Sequence, residues 1–280
     1  MTTNRQFSLA LQALTELKTD TSTPPSKPVA VAPALSAVLA EIGPIPAEAL
    51  LLGIASDGLP VLLNLYDPHP GPMLIAGDAG SGKTAFLQTM AHSVAQTHEV
   101  GEVRFGVITN YPEEWESVTA LPHQAGVFAV GRQDAQDFIH SLASWAHANK
   151  DTNQCMLLFV DDLESVASLD LQAVRDFRWL LLRGPARRVW PVVTLNAPRY
   201  GQVISWLQSF RTRIFGHVAS RRVAEALGGD KASVLGQLEP RIQFSLRETT
   251  VPRALGGKEN WLRFWLPSCD AERHGANGAH

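Results

Sequence analysis

Residues 77–84 read GDAGSGKT, directly after the apolar run PMLIA and directly before FLQTMAHSVAQTH. Gly77, Gly82, Lys83 and Thr84 satisfy the spacing GxxxxGK[ST], with an expected strand before it and an expected helix after it, which is the context the pattern requires. The stretch Gly77, Asp78, Ala79, Gly80, Ser81, Gly82, Lys83, Thr84 therefore reads as a phosphate cradle. Gly80 and Gly82 let the backbone approach a β-phosphate, successive N–H groups and the helix N-terminus supply partial positive charge, and Lys83 adds a full charge near a γ-phosphate. Thr84 is the expected Mg²⁺ ligand, and ATP with Mg²⁺ are the expected cofactors. The glycines alone do not say whether the nucleotide drives mechanical work, transfers a phosphoryl group or only supports the fold.

A second segment supplies acid. CMLLFVDDLE is an apolar strand ending in Asp161 and Asp162, with Glu164 two residues later. A carboxylate at the C-terminal end of a strand beside the loop strand can hold the magnesium's water shell, and Asp161 is placed there. Asp162 is then the candidate for polarising the attacking water. The alternative for both is a cap on the turn after a buried strand.

Outward from these segments, strands are expected in the hairpin ALLLGIASDGLPVLLNL around its SDG turn, and at 103–109, 126–130, 155–160, 192–195, 213–219 and 241–247. Helical spacing in LSAVLAEIG, FLQTMAHSV, AQDFIHSLASWAHA and LQAVRDFRWLLLR separates several of them. Alternating strands and helices imply an α/β fold with a mostly parallel sheet flanked by helices over residues 34–268. Residues 1–33 hold a short amphipathic helix, with Phe7, Ala10, Leu14 and Leu17 on one face, and a Thr- and Pro-rich linker; the helix packs on its own domain or docks on a partner. Residues 269–280 read as a frayed tail.

Composition narrows the class. At 280 residues and 45% hydrophobic content the chain can bury one sizeable core. Cys155 and Cys269 are far apart with no CxxC, and the histidines show no ligand spacing, so neither a disulfide framework nor a zinc site is expected. A cytoplasmic setting fits, with no membrane span and any membrane association made through a partner. The formal net charge of −3 conceals ten arginines against one acid, Asp176, over residues 171–222, which is 10 − 1 = +9. Such a block suits duplex DNA or a subunit interface. WLRFWLP reads as core or as a face toward a neighbouring subunit.

Three segments in order carry a resemblance. GPMLIAGDAGSGKTAFLQTMAHSV resembles the first nucleotide motif of the FtsK/HerA superfamily of hexameric translocating ATPases, MLLFVDDLE resembles its acidic strand, and WPVVTLNAPRYGQVISWLQSFRTRIFGHVAS is similar to its stretch of strand, polar sensor, proline and Thr-Arg-Ile strand. The resemblance spans roughly residues 45–247. It implies that Asn196 stands at the sensor position, usually Gln, and that Ala197 replaces a frequent Arg. It also implies an arginine acting across the subunit boundary, drawn from Arg183, Arg187 and Arg188, with Arg187 favoured on position. By resemblance the chain is a RecA-like P-loop NTPase, a motor domain of a ring-shaped homo-oligomer that binds and hydrolyses ATP to move DNA. The alternatives are a protein-export ATPase of the type VII secretion kind and a nucleotide-binding scaffold with weak or no turnover, the latter suggested by Asp162, Asn196 and Ala197.

Overall fold

The computed structural model describes residues 32–149, 153–229, 232–248 and 260–269. The expected helix near residues 6–18, nearly all of the linker after it and the tail beyond Cys269 lie outside these described residues. Within them, runs rich in Val, Ile, Leu and Phe form the strands β1 (Ala49–Ala55), β2 (Pro60–Asn64), β3 (Met73–Gly77), β4 (Val103–Thr109), β5 (Gln124–Ala129), β6 (Cys155–Asp161), β7 (Val189–Asn196), β8 (Thr212–Phe215), β9 (Gln243–Glu248) and β10 (Asn260–Trp265). They make one sheet in the order β2-β1-β10-β9-β8-β3-β7-β6-β4-β5. From β8 to β5 every pairing is parallel, whereas β8-β9, β9-β10, β10-β1 and β1-β2 are antiparallel. A parallel α/β core thus carries an antiparallel extension on one edge.

Strand periodicity divides the interior in two. Side chains alternate between the faces of a sheet, and the central strands send Leu74, Ala76, Leu158, Val160, Val193 and Leu195 into one core. The intervening Met73, Ile75, Leu157, Phe159 and Val192 enter the other. Because both faces are covered, these strands read as unbroken apolar runs rather than as alternating ones.

The longer helices are α1 (Leu35–Ile42), α2 (Lys83–Thr97), α3 (Gln133–Ala148), α4 (Leu171–Arg183) and α5 (Arg221–Gly228). On the first core lie Ile139, Leu142 and Ala146 of α3 with Phe177, Leu180 and Leu181 of α4, while α2 buries Phe86, Leu87, Met90 and Val94 in the second. Asp170 caps α4, its side chain accepting from the Ala173 N–H at 2.7 Å. Phe86 also joins helix to extension: its ring meets Phe244 of β9 edge-on at 4.8 Å between centroids and Phe264 of β10 at 6.0 Å.

β5 and β9 are shifted by about two residues from their expected bounds, and three other elements differ for reasons visible in the packing. β7 begins at Val189 rather than 192, because Trp190 is itself core, its indole N–H donating to the Leu65 carbonyl at 3.0 Å. β8 stops at Phe215, not 219, because the chain leaves the sheet to run beside the glycine loop: Gly216 N–H donates to the Ala76 carbonyl at 2.9 Å, and Asp78 N–H to the His217 carbonyl at 2.8 Å. WLRFW is the strand β10, inserted between β1 and β9 with Phe264 fully buried.

Phe86→Ala leaves a cavity at the only aromatic bridge described above between α2 and the extension, and is expected to destabilise the chain by about 3–5 kcal/mol. Urea denaturation followed by tryptophan fluorescence measures this as a lower midpoint at unchanged m-value.

Candidate active site

The glycine loop leaves β3 at Gly77 and enters α2 at Lys83. Two glycines here are required by space. A Cβ on Gly82, whose φ is +94°, would lie 2.6 Å from the Arg241 Cα, and one on Gly77 would meet the Ser81 side chain. The loop is held from outside as well. Besides the bond from Asp78 N–H to His217, the Ala219 N–H donates to the Asp78 carboxylate at 2.8 Å, and the Arg241 N–H donates to the Ser81 carbonyl at 3.0 Å.

Lys83 is buried and donates through Nζ to the carbonyls of Gly77, at 3.1 Å, and Asp78, at 2.9 Å. Burial pushes its ammonium below the ordinary lysine range, while the carboxylates of Asp162, Asp161, Glu164 and Asp78 pull the other way. Across the loop, Thr84 Oγ1 donates to Asp161 Oδ2 at 2.9 Å. Thr194, on the intervening strand β7, donates to Asp161 Oδ1 at 2.8 Å and accepts from the Asp162 N–H at 2.8 Å. Strand pairing brings these groups together, since β7 lies between β3 and β6 and pairs Asn196 with Gly77 in register.

Further acids gather at the same strand ends. Glu164 sits in the 3-10 turn Leu163–Ser168 with both carboxylate oxygens buried, and Asn196 Oδ1 is buried there without a protein donor. Burial raises the pKa of Glu164, with Asp162 adding to the rise and its own backbone N–H, Arg199 and Lys83 opposing it. Glu114 is raised by burial and by Asp161, Glu113 and Asp162. Asp162 takes a left-handed backbone, φ +82°, at the point where the chain turns out of β6.

A close-packed loop of N–H groups, a lysine at its helix end, a hydroxyl paired to a carboxylate and further hard oxygen donors form a set that fits a nucleoside triphosphate with Mg²⁺. Among the described residues no group of three or more His, Cys, Asp or Glu is arranged to hold a metal on its own. A metal at Thr84 and Asp161 would thus need oxygen ligands from nucleotide or water.

Gly77, Asp78, Ala79, Gly80, Ser81, Gly82, Lys83, Thr84, Asp161, Asp162 and Asn196 fall at one end of the parallel strands. Arg187 does not. It precedes β7 in the turn Pro185–Arg187, while Asn196 ends that strand, so eight strand residues, roughly 26 Å, separate them. Its surroundings are a cavity of about 350 Å³ lined by His147, Trp179, Arg183, Ala186 and Arg187. The sequence signal for Thr194 is a lone hydroxyl in the apolar run VWPVVTLN; His217, inside the third resembling segment, reads there as an ordinary histidine, and Arg241 lies outside all three segments.

Comparison with known proteins agrees with this geometry. Residues 50–157 match the model of the FtsK/SpoIIIE family. The fold is similar to Thermomonospora curvata EccC (ATPases 2 and 3) in complex with a signal sequence peptide, at TM-score 0.67 and 17% identity over 89% of this chain and 45% of that one. It is also similar to EssC (ATPases 2 and 3) from Geobacillus thermodenitrificans, at TM-score 0.63 and 14% identity over 87% and 47%. Over the matched residues the chain is similar to the P-loop ATPases of the FtsK/SpoIIIE family. At such identities the structural likeness speaks for the fold alone, and the chain spans less than half the length of either protein. No curated protein sequence matches it. No helix among the described residues is long and apolar enough to cross a membrane.

Asp161 gives a pH prediction. Burial raises its pKa, and its two threonine hydrogen bonds and Lys83 only partly offset this. A carboxyl whose pKa rises on folding adds stability below the unfolded value of about 3.9 and loses that contribution as pH rises through the folded value. At neutral pH the ionised group is therefore a net cost to the nucleotide-free fold. Asp161→Asn is expected to raise the nucleotide-free Tm at pH 7, with the gain shrinking as pH falls toward about 4. Thermal melts of both proteins across that range check it, and an equal Tm difference at both ends contradicts it.

Proposed function

We propose that the chain binds ATP with Mg²⁺ and hydrolyses it as one subunit of an oligomeric translocase. The observation that carries this reading is the convergence of Lys83, Thr84 and Asp161 on one glycine loop, with Asp162 and Asn196 at the neighbouring strand ends. In the proposed reaction Asp162 polarises a water and Asn196 hydrogen-bonds that water or the γ-phosphate. The water oxygen attacks the γ-phosphorus, the bond to the bridging oxygen breaks, and ADP leaves. Thr84 and Asp161 would hold Mg²⁺, which neutralises charge on the phosphates.

Arg187 completes the site from a second subunit, in support of which it lies at the opposite end of β7 from its own loop. Removing such an arginine is expected to slow turnover by about 10³-fold. Lys83→Ala should abolish ATP binding measured by calorimetry, and Arg187→Ala should bind ATP yet turn it over poorly. Mixing the two variants should restore part of the ATPase rate, because some interfaces then pair an intact loop with an intact arginine. No recovery on mixing would refute action in trans.

Duplex DNA is the polymer proposed first, supported by exposed arginines at 175, 183, 199, 211 and 222. Protein export is the second reading. It is favoured by the likeness to EccC, whose structure is in complex with a signal sequence peptide, and by the internal use of other arginines. Arg213 donates to the carbonyls of Leu227 and Leu207, Arg178 lies over the Trp206 ring and Arg188 over Tyr66. A DNA motor should show an ATPase rate that rises several-fold with duplex DNA at high protein concentration. A rate indifferent to DNA selects export, and ATP binding without turnover selects a scaffold.

A further inference from the structure

We propose that Arg241 is a nucleotide-contacting residue, its guanidinium pairing with the phosphates of ATP held in the glycine loop of the same chain; this rests on ATP binding as proposed above. Arg241 lies outside the segment that matches the family model and outside the three segments that carry the sequence resemblance. Its backbone is nonetheless part of the cradle. The Arg241 N–H donates to the Ser81 carbonyl at 3.0 Å, and its Cα is the atom that keeps Gly82 a glycine.

The turn carrying it is fixed on both sides. His217 Nδ1 donates to the Leu238 carbonyl at 2.9 Å, while the His217 carbonyl accepts from Asp78 within the glycine loop. Gln243 N–H donates to the Glu239 carbonyl at 2.9 Å, and Gln243 Oε1 accepts from the Glu239 N–H at 3.1 Å. The segment 238–243 is therefore built against the loop rather than draped near it.

Within that turn Arg241 takes a left-handed backbone, φ +70°, a conformation that suits glycine or asparagine and strains a longer side chain. Two other non-glycine residues among those described share such a backbone. Asp162 lies at the acidic strand end, and Arg188 is stacked on Tyr66 at 3.7 Å. The Arg241 side chain has neither explanation: it is exposed, and among the described residues it forms no ion pair and lies over no aromatic ring. A strained position retained for an unpaired cation beside a phosphate cradle points to an anionic ligand there.

Arg241→Gly separates this role from a structural one, because glycine accepts the left-handed backbone and keeps the N–H that bonds Ser81. The affinity of the full chain for ATP, measured by calorimetry with Mg²⁺, is expected to fall about tenfold, or 1.4 kcal/mol. The nucleotide-free Tm should hold or rise. Arg241→Lys should recover part of the affinity, and the gap between wild type and Arg241→Gly should narrow as salt is raised. Wild-type affinity in Arg241→Gly would overturn the assignment, as would a loss matched by a fall in the nucleotide-free Tm. If wild type binds no ATP that Lys83→Ala abolishes, the nucleotide reading itself fails and this assignment falls with it.

Discussion

The grip of two threonine hydroxyls on one buried carboxylate is the contact around which the active end of the molecule is organised. Asp161 has both oxygens occupied, Oδ2 by Thr84 at the start of α2 and Oδ1 by Thr194 in β7. Asp161 ends β6, Thr194 lies on the adjacent β7, and Thr84 follows β3, the next strand over, so the bonds form only if β7 lies between β3 and β6 in the observed register. The arrangement is a preorganised one: the carboxylate is already aimed and desolvated, at a cost in folding energy that a bound cation would relieve. Marginal stability at this point is the physical condition for tight binding at it.

The rest of the fold serves to hold the loop against that carboxylate. Alternate residues of the central strands feed two cores, and α2 is seated in one of them by Phe86, Leu87, Met90 and Val94. From the other side, the chain leaving β8 and the turn before β9 bond the loop through Asp78 and Ser81. The antiparallel extension is thus continuous with the site. Phe86, meeting Phe244 and Phe264, carries the same coupling through the core, so the segment beyond the family match contributes to the shape of the loop.

Much of this was legible in the sequence, and for identifiable reasons. The glycine loop and the DD after CMLLFV are local signals: their chemistry depends on neighbours a few residues away, and a long apolar strand announces its own end. The parallel core followed from alternating periods. What was not legible depended on contacts between distant segments. RIFGHVA stays apolar after Phe215 and so reads as a longer strand, and only the bonds to the glycine loop, from Asp78 N–H to the His217 carbonyl and from Ala219 N–H to the Asp78 carboxylate, turn the chain away from it. β10 was read as a packing surface because nothing in WLRFWLP says that a gap between β1 and β9 awaits it. Thr194 could have been noticed, since a hydroxyl in a strand buried on both faces must bond to something.

The arginine block shows where linear charge counting misleads. Read along the chain, residues 171–222 are a single patch of +9. Folded, they run down α4, through β7 and the turns after it, along β8 and into α5, and so occupy both ends of the sheet. Arg213 satisfies two carbonyls at helix ends, Arg178 and Arg188 cover aromatic rings, and Arg221 pairs with Glu225 along α5. Guanidinium groups so used act as packing and hydrogen-bonding elements, and the field left to attract a polyanion is smaller than the count implies. Arg187, near the start of β7, is separated from Asn196 by the whole length of that strand. No side-chain motion spans such a distance, so any chemistry that uses both residues needs two copies of the chain, with the Arg187 end of one facing the glycine loop of the next.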